Sequence, residues 1–407
     1  MKRKNVYLIF ISIFFHVSCS SHSKDPEESK GNGLYVFDID KAKKNSDEVF
    51  LYSSLYKKVS VIPLETNESC LIGNISKIRV FDRYIFVLDF NKAKSLFVFD
   101  REGHFIRKIG NTGNGPGEFI EPVDFTIDRD NKTVYVLDID LQRINKYDIA
   151  TGNFIQAINL EKEVRSFNIE HVEGKLYADA IFRKHADNNY LLRVIQESTG
   201  KEERHYLNVM EYTQGISNLH KIQSNIFYFR ENGNPVFVQQ FMPYVIEINK
   251  DSIFSLVELK GRDVSITSEK TDELNEMSVM QHVLENRELD KYHSILSFIE
   301  KGNIILMDIQ KGRFFHKLLI HKKTKEVYVL ENFNDDLLFK DGVIKVLPAF
   351  GCSDASGVYY IVNSHIISMY QAWAKEDILS PDLGRLEDLK NLEEDANPVI
   401  LYYEFKD

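Results

Sequence analysis

The 407-residue sequence predicts an all-β protein, a six-bladed β-propeller of four-stranded antiparallel blades. The main observation is a unit of four short apolar runs separated by turns, which occurs twice between Ile75 and Leu160. A glycine-rich stretch, residues 109–119, separates the two copies. Four antiparallel strands repeated at intervals of roughly 40–50 residues are typical of propeller blades.

The runs in these two copies have the composition of strands. Each is about five or six residues long, is rich in β-branched and aromatic residues, and is bounded by Asp, Asn or Gly. The runs are Ile75–Phe81, Tyr84–Asp89, Ser95–Asp100 and His104–Ile109 in the first blade, and Val123–Asp128, Thr133–Asp138, Arg143–Asp148 and Asn153–Ile158 in the second. The connections at 100–103 and 128–131 contain residues that tolerate the positive φ angles of hairpin turns.

The second strand of each unit ends in a short polar residue, and this feature extends the count to six blades. Four further apolar runs downstream close in the same way, at residues 175–179, 235–239, 304–308 and 358–363. The six terminal residues are Asp89, Asp138, Asp179, Gln239, Asp308 and Asn363. Blades three and four, residues 165–207 and 225–259, are less regular, and their loops after the second strand are longer.

Residues 122–158 resemble an NHL repeat. The resemblance lies in the strand Tyr135-Val-x-Asp138, the strand Arg143-Ile-x-x-Tyr147 and the preceding Gly-Pro-Gly-Glu-Phe motif at 115–119. Residues 55–407 more broadly resemble the six-bladed β-propeller lipoproteins of Gram-negative gut anaerobes. This resemblance implies a propeller that is held in the cell envelope by a lipid.

The N-terminus has the pattern of an export signal. Three basic residues precede an apolar stretch at 6–15, which is too short to span a bilayer. Cys19 resembles the lipidated cysteine of a bacterial lipobox, so we expect a signal peptide over 1–18 and a lipid anchor at Cys19. An ordinary signal peptide with an incidental cysteine is the alternative. Residues 19–50 are predicted to be a flexible tether because they begin with a long polar run, and 51–407 to be the propeller.

Charge and export restrict the partners and the location. Cleavage before Cys19 removes three basic residues and changes the formal net charge from −10 to −13. Neither nucleic acid nor an anionic membrane surface is an expected partner, because both require a basic footprint. We expect an exported monomer that meets the membrane through its lipid anchor only, in the outer membrane, with the side of that membrane left open.

Two further cysteines, Cys70 and Cys352, remain in the exported chain, and an even pair invites a disulfide. Cys70 follows an outer strand, whereas Cys352 follows an inner strand that runs antiparallel to it. Their loops are therefore expected on opposite faces of the ring, which argues against a bridge.

Two unpaired strands predict how the ring closes. Val59–Glu65 stands alone before the first blade, and Pro398–Phe405 has no strand after it. The sixth blade has inner strands at 344–350 and 357–363 and lacks an outermost strand. We expect the N-terminal strand to complete this blade, because an open propeller would leave sheet edges exposed.

Two stretches break the strand rhythm, and both are predicted to be small helical insertions. They cover about residues 268–292, between blades four and five, and about residues 371–396, within the sixth blade. Apolar residues at helical spacing support both: Leu274, Met277 and Leu284 in the first, and Leu383, Leu386, Leu389 and Leu392 in the second. We expect each insertion to cover its own domain rather than to dock a partner.

The sequence contains no His-Glu-x-x-His, Gly-x-Ser-x-Gly or P-loop motif, so candidate site residues come from the predicted topology. The loops after the second strands border one mouth of the channel. They carry the ligand-binding candidates Asp89, Asp138, Arg183, Gln239, Asp308 and Arg313. The opposite mouth is bordered by short hairpin turns such as Asp82–Arg83, which leave less room for a pocket. Alternatively, the Asp, Asn and Gln residues that end these strands cap the turns by binding backbone amides.

Two classes of function fit this pattern. The first is a non-catalytic cell-envelope lipoprotein that binds a glycan, a peptide or an envelope protein at the channel face. The second is a metal-dependent propeller enzyme, a lactonase-like or lyase-like hydrolase with a cation held in the channel by carboxylate and His ligands. That cation would be Ca²⁺ or Zn²⁺, and a ring of carboxylates could hold Ca²⁺ in the central channel. For the binding protein we expect no cofactor. No inward His or Glu recurs from blade to blade, which favours binding over catalysis.

Overall fold

The computed structural model confirms the predicted six-bladed β-propeller. It describes residues 28–29, 35–45, 49–161, 165–180, 190–213, 225–250, 252–262, 264, 292–312, 314–344, 348–393 and 395–406. Each blade is a four-stranded antiparallel sheet, and the first strands of the blades contact one another around the channel. Over these ranges, no helix is long and apolar enough to cross a membrane.

Five short strands precede the first complete blade. They are β1 (Glu28–Ser29), β2 (Tyr35–Asp38), β3 (Lys43–Lys44), β4 (Phe50–Leu51) and β5 (Tyr56–Pro63), with 3₁₀ turns at Ile39–Lys41 and Tyr52–Ser54. Only β5 belongs to the predicted ring.

Blades one and two agree closely with the sequence prediction. Blade one contains β6 (Lys77–Phe81), β7 (Tyr84–Asp89), β8 (Ser95–Asp100) and β9 (Phe105–Ile109). A short parallel pair follows, β10 (Asn111–Thr112) and β11 (Glu118–Phe119). Blade two contains β12 (Pro122–Asp128), β13 (Thr133–Asp138), β14 (Arg143–Asp148) and β15 (Phe154–Asn159). Every residue of β7 and β13 is buried, because each sheet packs on both faces. Gly110 (φ 67°) lies so close to Phe119 that a Cβ would approach the ring to 2.4 Å, so glycine is required there.

Blades three to five keep the same four-strand order. Their elements are β16 (Ile169–Val172), β17 (Lys175–Asp179), β18 (Tyr190–Ile195), β19 (Glu202–Asn208), helix α1 (Val209–Tyr212), β20 (Phe227–Phe229), β21 (Pro235–Phe237), β22 (Tyr244–Ile248), β23 (Ile253–Lys260), β24 (Tyr292–Lys301), β25 (Ile304–Lys311), β26 (Phe314–His321) and β27 (Glu326–Leu330), followed by β28 (Phe333–Asn334). The first three strands of blade five are longer than the corresponding strands of blades three and four.

The sixth blade closes the ring as predicted. Its elements are β29 (Ala349–Ser353), β30 (Gly357–Val362), helices α2 (Ser364–Lys375) and α3 (Leu386–Lys390), and β31 (Val399–Phe405). The sheet order is β29-β30-β31-β5, and β31 pairs antiparallel with β5 so that Leu401 faces Val61. The N-terminal strand is therefore the outermost strand of the C-terminal blade.

The insertion within the sixth blade is helical, but its bounds differ from the prediction. Helix α2 begins at Ser364 rather than at Gln371, and it buries Ile367, Tyr370 and Ala374. Spacings of three and four residues place these side chains on one face of a helix. The leucine series downstream is helical only over α3. The other predicted insertion, 268–292, lies outside the described residues apart from Tyr292, which begins a strand.

The predicted tether at 19–50 does not hold for residues 35–45, which pack on the outside of the ring. Strands β1 and β2 pair in parallel with β23, the outer strand of blade four. Strand β3 pairs in parallel with β27 of blade five, and β4 pairs with β28. Phe37 in β2 is buried, and burial of this aromatic side chain explains why the segment is held against blade four. Residues 19–27 and 30–34 lie outside the described part of the chain.

Cys70 and Cys352 are both buried and form no disulfide. The two thiols belong to one apolar cluster between blades one and six, which also contains Ile78 and Ile361. Burial raises the pKa of the Cys352 thiol to about 12. Both cysteines therefore serve as small apolar core residues.

Candidate ligand site at one mouth of the channel

The innermost strands place charged side chains in the channel. Lys77 and Arg79 on β6 are almost completely buried, as are Asp124 on β12 and Glu170 on β16. Lys77 Nζ lies 2.7 Å from Asp124 Oδ1, and Arg79 Nη2 lies 3.4 Å from Glu170 Oε2. Two cations from blade one therefore face two carboxylates from blades two and three, and the four formal charges cancel.

Arg79 is held by groups from several blades. Its Nη2 donates to Asn225 Oδ1 at 3.1 Å and to the carbonyl oxygen of Phe227 at 3.0 Å, both in blade four. Glu170 in turn accepts a hydrogen bond from the hydroxyl of Thr126 in blade two. This network links blades one to four across the channel, and it fixes the orientation of the Asn225 amide.

Lys77 lies nearer to one mouth of the channel, at the beginning of β6. Burial lowers the pKa of its ammonium to about 8, with a further contribution from the positive charge of Arg79 and an opposing one from Asp124. The loss of hydration therefore outweighs the attraction of its partner. A buried cation of this kind depends on its carboxylate for stability.

A cavity of about 330 Å³ opens at this mouth. Its walls come from the beginnings of first strands, at Lys77 and Ala349, and from the ends of second strands, at Phe90 and Ile361. The polar side chains in its lining are mostly amides: Asn74, Asn91, Asn225 and Asn363, with Ser76. The cavity is therefore on the face that the loops after the second strands border.

Asp89 and Asp138 lie at this end of the ring, but their carboxylates are fully buried. Asp89 Oδ2 accepts hydrogen bonds from the backbone amides of Gly73 (2.7 Å) and Asn74 (3.2 Å). Asp138 Oδ2 accepts one from the amide of Ile120 at 2.6 Å. Both side chains thus hold the segment that leads into the first strand of their own blade, and a role for them in ligand binding stays a prediction.

The remaining candidates differ in their surroundings. Gln239 is buried, and its Oε1 has no hydrogen-bond donor in the described part of the chain. Asp308 accepts a hydrogen bond from Ser297 Oγ at 2.7 Å and pairs with Lys317. Arg183 and Arg313 lie outside the described residues. Ligand binding by these four also stays a prediction.

The channel carboxylates do not form an obvious cation site. Within the ranges that the structure describes, no group of three or more His, Cys, Asp or Glu residues is placed to hold a metal ion. The channel carboxylates instead face Lys77 and Arg79. No observation in these ranges favours the metal-dependent alternative.

A larger cavity, of about 740 Å³, lies away from the channel at the rim between blades five and six. Apolar side chains of β26 and β27, such as Leu319 and Leu330, meet Phe50 and Leu51 of β4 there. No side-chain atom in its lining is a buried donor or acceptor without a partner. The channel cavity is therefore the better candidate for a specific site.

The cavity lies on the face that the sequence analysis expects to bind a ligand, but that analysis did not name the charged residues that line the channel. The signal was present in the first strands, where polar residues alternate with apolar ones. Lys77 and Arg79 are two residues apart, as are Asp124 and Thr126, so each pair lies on one face of its strand. Opposite charges on the first strands of adjacent blades would have predicted ion pairs in the channel.

The fold and the cavity define a class: a closed six-bladed β-propeller with a small amide-lined cavity at one channel mouth. The chain belongs to the family described as a domain of unknown function, DUF4934, whose model matches residues 34–404. The match begins at the outer strand β2 and ends within β31. The matched range thus includes β2, β3 and β4, which pack outside the ring, and not β1.

Solved structures show similarity at the level of the fold. A Bacteroides fragilis NCTC 9343 protein for which export has been inferred matches with a TM-score of 0.72 at 19% sequence identity, over 91% of this chain and 100% of that chain. A DUF4221 family member from Bacteroides vulgatus ATCC 8482 matches with a TM-score of 0.49 at 12% identity, over 86% of this chain and 97% of that chain. No curated protein matches the sequence.

Proposed function

We propose that this protein is a non-catalytic lipoprotein of the cell envelope, whose propeller binds a glycan or a peptide at the channel mouth. The observation that carries the proposal is the amide-lined cavity of about 330 Å³, which lies within the size range of ligand pockets. Side-chain amides both donate and accept hydrogen bonds, so they recognise polar groups without requiring charge. Phe90 and Phe350 add apolar surface to the same cavity.

The envelope location rests on the N-terminal sequence. The basic and apolar segments that precede Cys19 are typical of a lipoprotein signal, and a fold relative in Bacteroides fragilis is inferred to be exported. Replacement of Cys19 with Ala should release the protein from the membrane fraction, because the acyl chains would have no attachment point. Fractionation of cells followed by immunoblotting measures this directly. Retention of the Cys19→Ala protein on membranes would contradict lipidation.

The binding face can be tested with variants of the full-length protein in detergent. Arg183→Ala and Arg313→Ala change two residues that the sequence analysis predicts at the proposed face, whereas Arg129→Ala makes the same change at the opposite mouth. Binding to arrays of immobilised oligosaccharides and peptides should weaken in the first two variants and persist in the third. Loss of binding in Arg129→Ala alone, with all three variants folded, would place the site at the other mouth.

A further inference from the structure

One residue that lines the cavity at the channel mouth has a hydrogen-bond donor with no acceptor among the described residues. Asn225 is more than nine-tenths buried, and its Nδ2 makes no hydrogen bond in the described part of the chain. The orientation of the amide is fixed, because Arg79 has only donors and therefore must face Oδ1. Among the described residues, the NH₂ group of Asn225 thus has no acceptor, and Asn225 is one of the residues that line the cavity. A buried donor without a partner is unfavourable, and an acceptor on a ligand would satisfy it.

The charges around the cavity disfavour a charged ligand, since the Lys77 ammonium in the lining would repel a cation and an anion meets the difficulties that follow. Lys77 is the only Lys or Arg among the described lining residues, and it is paired with Asp124. The second channel cation, Arg79, faces Glu170. A carboxylate on the ligand would compete with Asp124 for Lys77 and leave one carboxylate buried without a partner, which is costly. The net charge of the whole chain, −10, also disfavours an anion.

The size and the other polar groups restrict the ligand further. A volume of about 330 Å³ is the volume that about eleven water molecules occupy in the liquid. The cavity can therefore hold a molecule of about a dozen non-hydrogen atoms. Asn74, Asn91 and Asn363 supply further amides around the same space. Hydroxyl groups match amides because both kinds of group donate and accept. A ring that carries several hydroxyls has this size and this pattern.

From these observations we infer that the cavity takes one neutral, hydroxyl-bearing ring, a single sugar residue, with Asn225 Nδ2 donating to one of its oxygens. This inference rests on the proposed function, since it names the ligand class of the same site. It selects the glycan over the peptide, and a neutral sugar over an acidic one. The aromatic side chains of Phe90 and Phe350 would contact the C–H groups of the ring.

The test uses full-length protein in detergent and saturation-transfer NMR with single-residue probes at millimolar concentrations. The neutral probes are the methyl glycosides of glucose, galactose, mannose and N-acetylglucosamine. Glucuronic acid serves as the acidic sugar, and a capped alanine amide serves as the peptide fragment. At least one neutral glycoside should bind, and glucuronic acid should bind more weakly than methyl glucoside.

Asn225→Asp is the decisive variant, because it preserves the shape and the acceptor for Arg79 while replacing the donor Nδ2 with an oxygen. The affinity for the bound glycoside should fall by about 10-fold to 100-fold. Asn153→Asp makes the same chemical change in an exposed turn outside the cavity and should leave the affinity unchanged. If Asn225→Asp lowers the melting temperature, Asn91→Ala is used in its place, because Asn91 is an exposed residue of the lining. Asn91→Ala should also weaken binding of the glycoside.

The outcomes separate the inference from the proposed function. If only glucuronic acid or the capped amide binds, and the cavity variants weaken that binding, the cavity is retained as the binding site and the neutral-sugar inference is overturned. If a glycoside binds equally well to the cavity variants and the control, the inference is overturned because the sugar lies elsewhere. If no single-residue probe binds but larger immobilised ligands do, the one-ring cavity site is rejected while the binding function is retained.

Discussion

The ion pair between Arg79 and Glu170 provides a direct test of the channel network. Replacement of Arg79 with Met keeps most of the side-chain volume and removes the guanidinium. Glu170 is then left buried with the hydroxyl of Thr126, and the acceptors on Asn225 and Phe227 lose their donor. Removal of one partner from a buried ion pair costs about 3–5 kcal/mol of the free energy of unfolding. Urea unfolding at neutral pH, followed by circular dichroism, measures this loss.

A double-mutant cycle separates the ion pair from the packing. Glu170→Gln removes the second charge, so the double variant contains neither buried charge. We expect Arg79→Met/Glu170→Gln to be more stable than the sum of the single effects predicts, by about 0.5–3 kcal/mol. Arg83→Met changes an exposed arginine at the opposite mouth and should cost less than about 1 kcal/mol. Additive effects within about 0.5 kcal/mol would show that blades one and three do not interact through this pair.

Two further predictions concern the sixth blade and its neighbour. Deletion of residues 397–407 removes β31. Burial of its five most buried apolar side chains contributes about 7–15 kcal/mol in total to the free energy of unfolding. Since this is comparable to the whole stability of a domain, the shortened chain should lose its cooperative thermal transition. An unchanged melting temperature would show that the ring closes in some other way. Burial raises the pKa of Asp335 to about 6 in the folded state. The folded state therefore binds this proton more tightly than the unfolded state does, and the resulting stabilisation is lost as the pH rises from about 4 to about 6. Relative to Asp335→Asn, the wild type should lose about 3 kcal/mol of unfolding free energy across that window, and a pH-independent difference in urea unfolding would refute this.

The ring could be predicted from the sequence because its signals are local and repeated. Six apolar runs close on Asp, Asn or Gln in the sequence, and the two unpaired strands at the chain ends required a partner. The structure differs in detail, because Asp308 lies within β25 and Gln239 lies two residues after the end of β21. The outer strands β1 to β3 were missed because a complete blade needs no fifth strand, so the repeat gives no reason to expect one. The four residues Tyr35–Asp38 are also too few to show a period.

The site was predicted only as far as its face of the ring. A cavity does lie on the face that the loops after the second strands border, but the sequence could not distinguish an Asp that faces a ligand from one that binds a backbone amide. Asp89 illustrates the difficulty, since its partners Gly73 and Asn74 lie before the first strand of its own blade. Asn225 was not a candidate, because its free donor depends on Arg79, which is 146 residues away in the chain.

The position of the cavity connects ligand binding to the closure of the ring. Its walls are formed by blade one at Asn74, by blade six at Asn363 and by blade four at Asn225. Asn363 Oδ1 also accepts a hydrogen bond from the amide of Ile75, which joins the last blade to the first. A ligand that contacts all three blades can bind only when the ring is closed, so it must stabilise the closed state by an amount set by its concentration and affinity. The contact between the first and the last blade is thus part of the proposed binding site, and it exists only in the closed ring.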